Sequence, residues 1–434
     1  MAVQTAQEFI EVLRKSQLLT PSQLAQAEAA AGEFDAPSVI ARRLVKQELI
    51  TRWQAGQLLA GRSTFYLGKY RLIDLLGRGG MGSVFLGRHV TMNRPVALKV
   101  IARQLCQDQR ALDRFLAEAR AIAALDSPNI VQAYSVDCEG ERYYIVMEYV
   151  EGYDLQRLVE EEGPLEYHRA ADYIRQAAEG LSHAHQRQMV HCDIKPSNLL
   201  VNSQGVVKIL DLGLARLTHT GQPDHRKTEE RVLGSVDYLA PEQAVESPDL
   251  DGRADVYSLG CTLYFLLTGQ PPYPRGTLSE RILQHQTAER PDPRRLRANI
   301  PAELAAICRK MMAKAIQDRH RAANEVAQAL IDWHTNASSA GSRLRPLPRA
   351  RRLDEPDDIS VLVPLDDDFS LADLGDDFGS VDRHGSYARV SPQPSAIEQF
   401  MRIMTASPWR ILAVIFGLAT VLLILIVMAI AARH

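Results

Sequence analysis

The sequence predicts an α+β chain folded in two lobes, preceded by a small helical module and followed by one apolar helix. Three observations carry this. Apolar alternation with a period near two is concentrated between residues 70 and 150, helical periodicity dominates from 170 to about 335, and a run of 22 uncharged residues lies at 411–432. At 434 residues the chain exceeds the usual size of one domain, and 46% apolar with 24% charged residues excludes wholesale disorder. A formal charge of -3 supplies no global basic field, so no nucleic acid is expected as a partner. Cys106, Cys138, Cys192, Cys261 and Cys308 are scattered singly, a pattern that offers neither a zinc site nor a disulfide framework and fits a reducing compartment.

The elements follow in order. The opening MAVQTAQEFI has no basic n-region and no apolar h-region, so no signal peptide is expected. Residues 1–66 read as short helices. Thr20 before Pro21 suits an N-cap and a first-turn proline; Ile40, Leu44 and Leu49 recur at helical spacing. A further short helix around Trp53, Leu58 and Leu59 packs on that one and stops near Gly61. The role of this module stays open between plain packing support and regulation or docking. From Tyr70 to Leu76 the alternation is uneven, a glycine cluster interrupts it, and strands resume at Ser83–Gly87 and Val96–Val100. A helix over 109–125 and strands near 130–149 complete a first lobe of about 70–150. The second lobe, about 151–335, is mostly helical.

Beyond it the composition shifts. Arg343, Arg345, Arg349, Arg351 and Arg352 form a basic run, and Asp354–Asp382 holds many carboxylates without lysine or arginine. Residues 340–408 are therefore expected to be a disordered, charged linker, with fold-back of its opposite blocks or capture of a basic partner as the alternatives. Residues 411–432 span about 33 Å as a helix, enough to cross a bilayer core. Arg410, Arg433 and Trp409 flank the segment as interfacial anchors. Gly417 and Ala419 would let two such helices approach, which admits a homodimer.

The chemistry lies in two clusters. Leu76-Gly77-Arg78-Gly79-Gly80-Met81-Gly82-Ser83-Val84 is a glycine hairpin followed by a strand, a setting in which backbone N–H groups can approach phosphates. Lys99 lies on the next strand, and Glu118, on the helix that follows, is the best placed carboxylate to orient it. In the second cluster, Asp193, Lys195 and Asn198 share one loop, and Asp211 follows a strand-like run. Transfer of a γ-phosphoryl group needs a carboxylate to orient the attacking hydroxyl, a cation near the transferred group, oxygen ligands for Mg²⁺ and a clamp on the nucleotide. Asp193, Lys195, Asn198 with Asp211, and the glycine hairpin with Lys99 meet these needs in that order. Asn and Asp are oxygen donors suited to a hard cation.

At these residues the chain resembles the bacterial branch of the eukaryotic-type (Hanks-type) serine/threonine protein kinases, over about 70–335. The resemblance rests on Gly77-x-Gly79-x-x-Gly82-x-Val84, Ala97-x-Lys99, Glu118, His191-x-Asp193-x-Lys195-x-x-Asn198, Asp211-x-Gly213, Ala240-Pro241-Glu242, Asp255 to Gly260, and Arg319. It implies a two-lobed kinase fold, ATP and Mg²⁺ (or Mn²⁺) as cofactors, and proteins with Ser or Thr acceptors as substrates. It further implies that Val84 and Ala97 cap the adenine from above, with Leu200 beneath. Met147 would be the gatekeeper, with Glu148 to Val150 offering backbone to the adenine edge. Arg319 would be the buried partner of Glu242, and Ser235 would stand in for a threonine near the acceptor.

Two departures bear on control. Cys192 replaces the arginine that grips a phosphate on the activation segment, which puts activation through Thr218, Thr220, Thr228 or Ser235 in doubt. Leu212 replaces a phenylalanine in an apolar slot, which should leave metal binding by Asp211 intact. A non-catalytic pseudokinase and a structural membrane adaptor are the competing readings; the first usually lacks a reacting group, and the second leaves the clusters unexplained. The expected location is the inner (cytoplasmic) membrane, single-pass, with the catalytic lobes cytoplasmic and no sensor domain beyond the span.

Overall fold

Threonine caps set the N-terminal helices. In the computed structural model, which describes residues 2–30, 36–79, 82–102, 109–140, 142–212, 236–245 and 250–338, Thr5 opens α1 (Ala6–Ser16) with a capping box to Glu8. Thr20 and Gln23 bond reciprocally at the start of α2 (Pro21–Ala30), as the sequence predicts. Helix α3 (Pro37–Lys46) starts on a proline, and α4 (Arg52–Leu59) is opened by Thr51 in a box with Gln54. Phe9, Leu13, Ile40, Leu44, Leu58 and Phe65 form the module's own core, each at most 1% exposed. That burial, about 1.5–3 kcal/mol for each large side chain, is what lets such short helices persist.

Six antiparallel strands follow: β1 (Tyr66–Leu67), β2 (Tyr70–Gly79), β3 (Gly82–His89), β4 (Pro95–Ile101), β5 (Ala133–Glu139) and β6 (Arg142–Glu148), in the order β1-β2-β3-β4-β6-β5. The uneven alternation of Tyr70–Leu76 has its cause here. The register of β2 on β3 shifts between Leu72 and Asp74 and again between Leu75 and Gly77, and each bulge moves the following side chains to the other face. Helix α5 (Gln109–Ala123) packs Leu112, Ala119 and Ile122 on Ile101, Ala133 and Ile145.

The second lobe is built from α6 (Leu155–Glu162), α7 (Tyr167–His185), α8 (Pro241–Ala244), α9 (Arg253–Thr268), α10 (Leu278–Thr287), α11 (Ala302–Met311) and α12 (Ala323–Ser338). Helix α9 is buried on every side and forms the axis of a core shared with α7, α11 and α12. A small sheet, β7 (Gly152–Asp154), β8 (Leu199–Asn202) and β9 (Val207–Ile209), lies on this lobe in the order β7-β8-β9. Its first two strands carry too few residues to show a period in sequence.

The connection from α5 to β5 is sewn to the second lobe. Ile209 N donates to Asn129 O at 2.9 Å, Val131 N to Ile209 O at 3.0 Å, and Asn129 Nδ2 to Val207 O at 2.9 Å. These bonds fix the base of α5 against the strand that leads to Asp211. No helix among the described residues is long and apolar enough to cross a membrane. The expected linker at 340–408 and the expected span at 411–432 lie outside the described residues.

Candidate active site

The nucleotide face begins with strand parity. Ala97 pairs with Met147 on one side and Leu86 on the other, and Lys99 pairs with Ile145 and Val84. Residues two apart on a strand share a face, so Ala97, Lys99 and Val84 lie on one side of the sheet. Leu98 and Phe85, also paired, lie on the opposite side in an apolar cluster. Gly82 closes the hairpin at φ 138°, and a Cβ there would sit 1.8 Å from Val100 O, so no other residue fits. A Cβ on Gly77 would meet nothing within 4 Å; that glycine answers no packing need of the protein and leaves open space where a phosphate would approach. Leu76 is exposed, Arg78 is half-buried, and Ser83 is buried. Gly80 and Met81 lie outside the described residues.

Lys99 is 5% exposed, too deep for an unpaired ammonium, and its Nζ lies 2.6 Å from Asp211 Oδ1. Desolvation pushes the Asp211 carboxyl up; the charge and hydrogen bond of Lys99, with Lys195 behind it, outweigh that and hold it below the usual carboxylate range. The Asp211 backbone is left-handed, φ 54°, an uncommon state for this residue type. Leu212 is 1% exposed in the core of the second lobe, so the leucine does fill the apolar slot. The expected pairing of Lys99 with Glu118 falls on a side chain outside the described residues. Glu118 itself lies on α5.

The loop carrying Asp193 is held by a group sequence reasoning left among structural motifs. The Asp255 carboxylate, fully buried at the start of α9, accepts the amides of His191 and Cys192 at 2.8 Å each and meets His185 Nε2 at 2.7 Å. Gln243 Nε2 donates to Cys192 O at 2.7 Å, and Cys192 adopts φ 65°. The imidazole of His191 then joins the loop to the strand end: Nε2 lies 2.7 Å from Leu210 O, while Nδ1 accepts the Asp193 amide at 3.2 Å. That pattern fixes a neutral ring with its proton on Nε2. No pattern in the sequence signals the contributions of His185 and Gln243, because each depends on a packing partner more than 50 residues away.

Within the loop, Lys195 Nζ lies 2.9 Å from Asp193 Oδ2, and Asn198 Nδ2 donates to Asp193 O at 2.7 Å and Oδ2 at 3.1 Å. Leu210 N donates to Asn198 O at 2.9 Å. Asp193, Lys195 and Asn198 thus form one bonded cluster, Lys99 and Asp211 a second, and the Leu210 backbone, tied to Asn198 and followed directly by Asp211, connects the two. Because the Asn198 amide nitrogen is spent on Asp193, its Oδ1 is left as a donor atom toward a cation. Together with Asp211 this makes an oxygen set that suits Mg²⁺. Among the described residues no cluster of three His, Cys, Asp or Glu side chains forms a further metal site.

Around the adenine position, Met147 and Leu200 are half-buried and Ala97 is buried. The Glu148 amide donates to Gln132 O at 2.8 Å, which commits it within the protein. The Glu148 carboxylate takes Lys208 Nζ at 2.7 Å, a pair absent from the sequence reading. Arg319 grips Glu242 with two bonds of 2.6 and 2.8 Å while its remaining donors reach the carbonyls of Ala313, Arg253 and Lys314. Residues 213–235, with Gly213, Thr218, Thr220, Thr228 and Ser235, lie outside the described residues.

Comparison with known proteins points to one family. The protein kinase domain matches residues 70–331. The serine/threonine-protein kinase PrkC of Bacillus subtilis (strain 168) is 33% identical over 305 residues, which is 70% of this chain and 45% of that protein. PknB of Mycolicibacterium smegmatis is 38% identical over 271 residues, 61% of this chain and 43% of its own. The crystal structure of the Mycobacterium tuberculosis PknI kinase domain covers 62% of this chain and 97% of its own at 27% identity, with a TM-score of 0.48. The chain therefore spans less than half the length of the curated relatives it matches. With the kinase match covering more than half of its residues, the chain belongs to the protein kinase family, in the branch of the bacterial serine/threonine kinases.

Proposed function

We propose that residues 70–335 transfer the γ-phosphoryl group of ATP to serine or threonine hydroxyls of proteins. The observation that carries this is the placement of the Asp193–Lys195–Asn198 cluster beside the Lys99–Asp211 pair, the two connected through the Leu210 backbone. Asp193 Oδ2 is held by Lys195 and Asn198, which presents Oδ1 to the acceptor hydroxyl. The hydroxyl oxygen attacks the γ-phosphorus, the bond from that phosphorus to the β–γ bridging oxygen breaks, and ADP departs with the electron pair. The hydroxyl proton passes to Asp193 Oδ1, while Lys195 lies beside the transferred group to stabilise its charge. Lys99 and the backbone of 76–84 hold the phosphates. Val84, Ala97, Met147 and Leu200 enclose the adenine, and Glu118 orients Lys99. Asn198 and Asp211 would hold Mg²⁺, or Mn²⁺, which when bound neutralises phosphate charge. The pseudokinase reading is disfavoured because each reacting group is present.

The chain is further read as a module at 1–66, a catalytic domain at 70–335, a charged linker at 340–408 and a membrane span at 411–432, with a homodimer compatible with the span's small residues. Asp193→Asn tests the central reading. It should keep ATP affinity, measured by calorimetry, and lose nearly all transfer to a generic Ser/Thr protein substrate, because the carboxylate that orients the hydroxyl is gone. Transfer at the wild-type rate would overturn the assignment.

A further inference from the structure

We propose that the N-terminal module is a positioning element of the nucleotide site, acting through Thr51 and Gln54 on strand β2. The inference rests on the kinase reading and adds a role for residues outside the kinase match. β1 pairs with the edge of β2 at Tyr70 and Arg71, and Phe65 O takes the Leu72 amide at 2.8 Å. The next carbonyls belong to the bulge between Leu72 and Asp74, where the edge carries polar groups without a strand to pair them. Two side chains of α4's first turn take that place. Gln54 Nε2 donates to Leu72 O and Thr51 Oγ1 donates to Ile73 O, each at 2.7 Å, and Gln54 is 3% exposed.

An apolar wedge accompanies the two bonds. The Trp53 ring meets Phe65 edge-on at 5.9 Å and Phe85 at 5.8 Å, and it belongs to both the module's core and the cluster on the outer face of the sheet. Phe85 adjoins Val84 and points to the opposite face, so the module backs the strand whose other side faces the nucleotide. From Leu72 to Gly77 is five residues of β2. A strand held at its bulge and backed by an indole presents the hairpin in one register; released, it has a free edge and a bulge able to shift.

The cap itself makes a discriminating test possible. Gln54 Oε1 also accepts the Thr51 amide at 2.9 Å, so Gln54→Glu keeps an oxygen for the helix cap while turning the bond to Leu72 O into a repulsion. The Thr20–Gln23 cap has the same form, and its bonds stay within residues 20–23. In the full chain, Gln54→Glu should raise the KM for ATP about three- to tenfold, the worth of one or two buried hydrogen bonds. The kcat and the KM for the protein substrate should stay within about twofold. Amide exchange over 72–79 should quicken, and Gln23→Glu should change none of these. Should Gln54→Glu fail to fold, Thr51→Val reads the same coupling, with Thr51→Ser restoring it. Unchanged exchange and ATP KM in a folded Gln54→Glu or Thr51→Val protein would overturn the proposal, as would an equal effect of Gln23→Glu. If the wild-type chain itself transferred no phosphate, the kinase reading would fall, and the exchange arm would still decide whether the module holds β2.

Discussion

Cys192 illustrates how a backbone role and a side-chain role separate at one residue. Its amide and carbonyl are both held, by Asp255 and Gln243, and its left-handed φ sets the turn that delivers Asp193. None of this uses the thiol, whose sulfur lies 3.9 Å from Val190 O. The loop is therefore shaped without the arginine found at this position in the family. What a cysteine cannot supply is a bidentate, charged grip on a phosphate. Basal activity should then depend little on phosphorylation of residues 213–235. Replacing Thr218, Thr220 and Thr228 together by alanine should leave the steady-state rate within about tenfold of wild type. A loss of about a thousandfold, of the order that positioning groups contribute in phosphoryl transfer, would mean that another basic group reads the phosphate.

At the scale of elements, what the sequence made legible was chemistry at fixed spacing. Asp193, Lys195 and Asn198 share one loop, and Lys99, two residues beyond Ala97 on a strand, must share its face, so residue type and spacing suffice to name them. The contacts between elements were not legible. Lys99 meets Asp211 across 112 residues, and the grip of Thr51 and Gln54 on β2 depends on a bulge that no composition reveals. The strands at 152–154 and 199–202 escaped for a simpler reason, since three or four residues carry no period. The tie of α8 to the connection between α11 and α12 was foreseeable only through family likeness. Arg319, 3% exposed, spends every guanidinium nitrogen on Glu242 or on carbonyls and lies over the Tyr257 ring at 4.8 Å. Arg319→Met leaves the Glu242 carboxylate buried without its counter-charge, which costs about 3–5 kcal/mol. The unfolding midpoint should fall by roughly 10 °C. Glu242→Leu combined with Arg319→Met should cost less than the sum of the two, because the second change removes the stranded charge. Strict additivity in denaturant titrations would show that the pair is not coupled.

For the molecule as a whole, the docking of the module and the chemistry of the lobes together constrain topology. Residues 411–432 contain no charge and, as a helix, are long enough to cross the apolar core of a bilayer. ATP and Mg²⁺ are cytosolic, so under the proposed function the catalytic lobes should lie on that side. Thr51, Trp53 and Gln54 hold α4 on β2, which carries residues 2–66 to the same side as the catalytic lobes. Arg402 and Arg410 precede the span and favour an inside N-terminal flank, a bias that Arg433 beyond it reduces. Protease treatment of sealed spheroplasts, with separate tags at the two ends of the chain, measures this directly. The N-terminal tag and the catalytic lobes should be protected together and become cleavable only after the membrane is disrupted. The shared protection matters, because digestion of the tag with survival of the lobes would contradict the contact between α4 and β2. Digestion of the lobes in intact spheroplasts would reverse the topology, and recovery of the whole chain in the soluble fraction would remove the span.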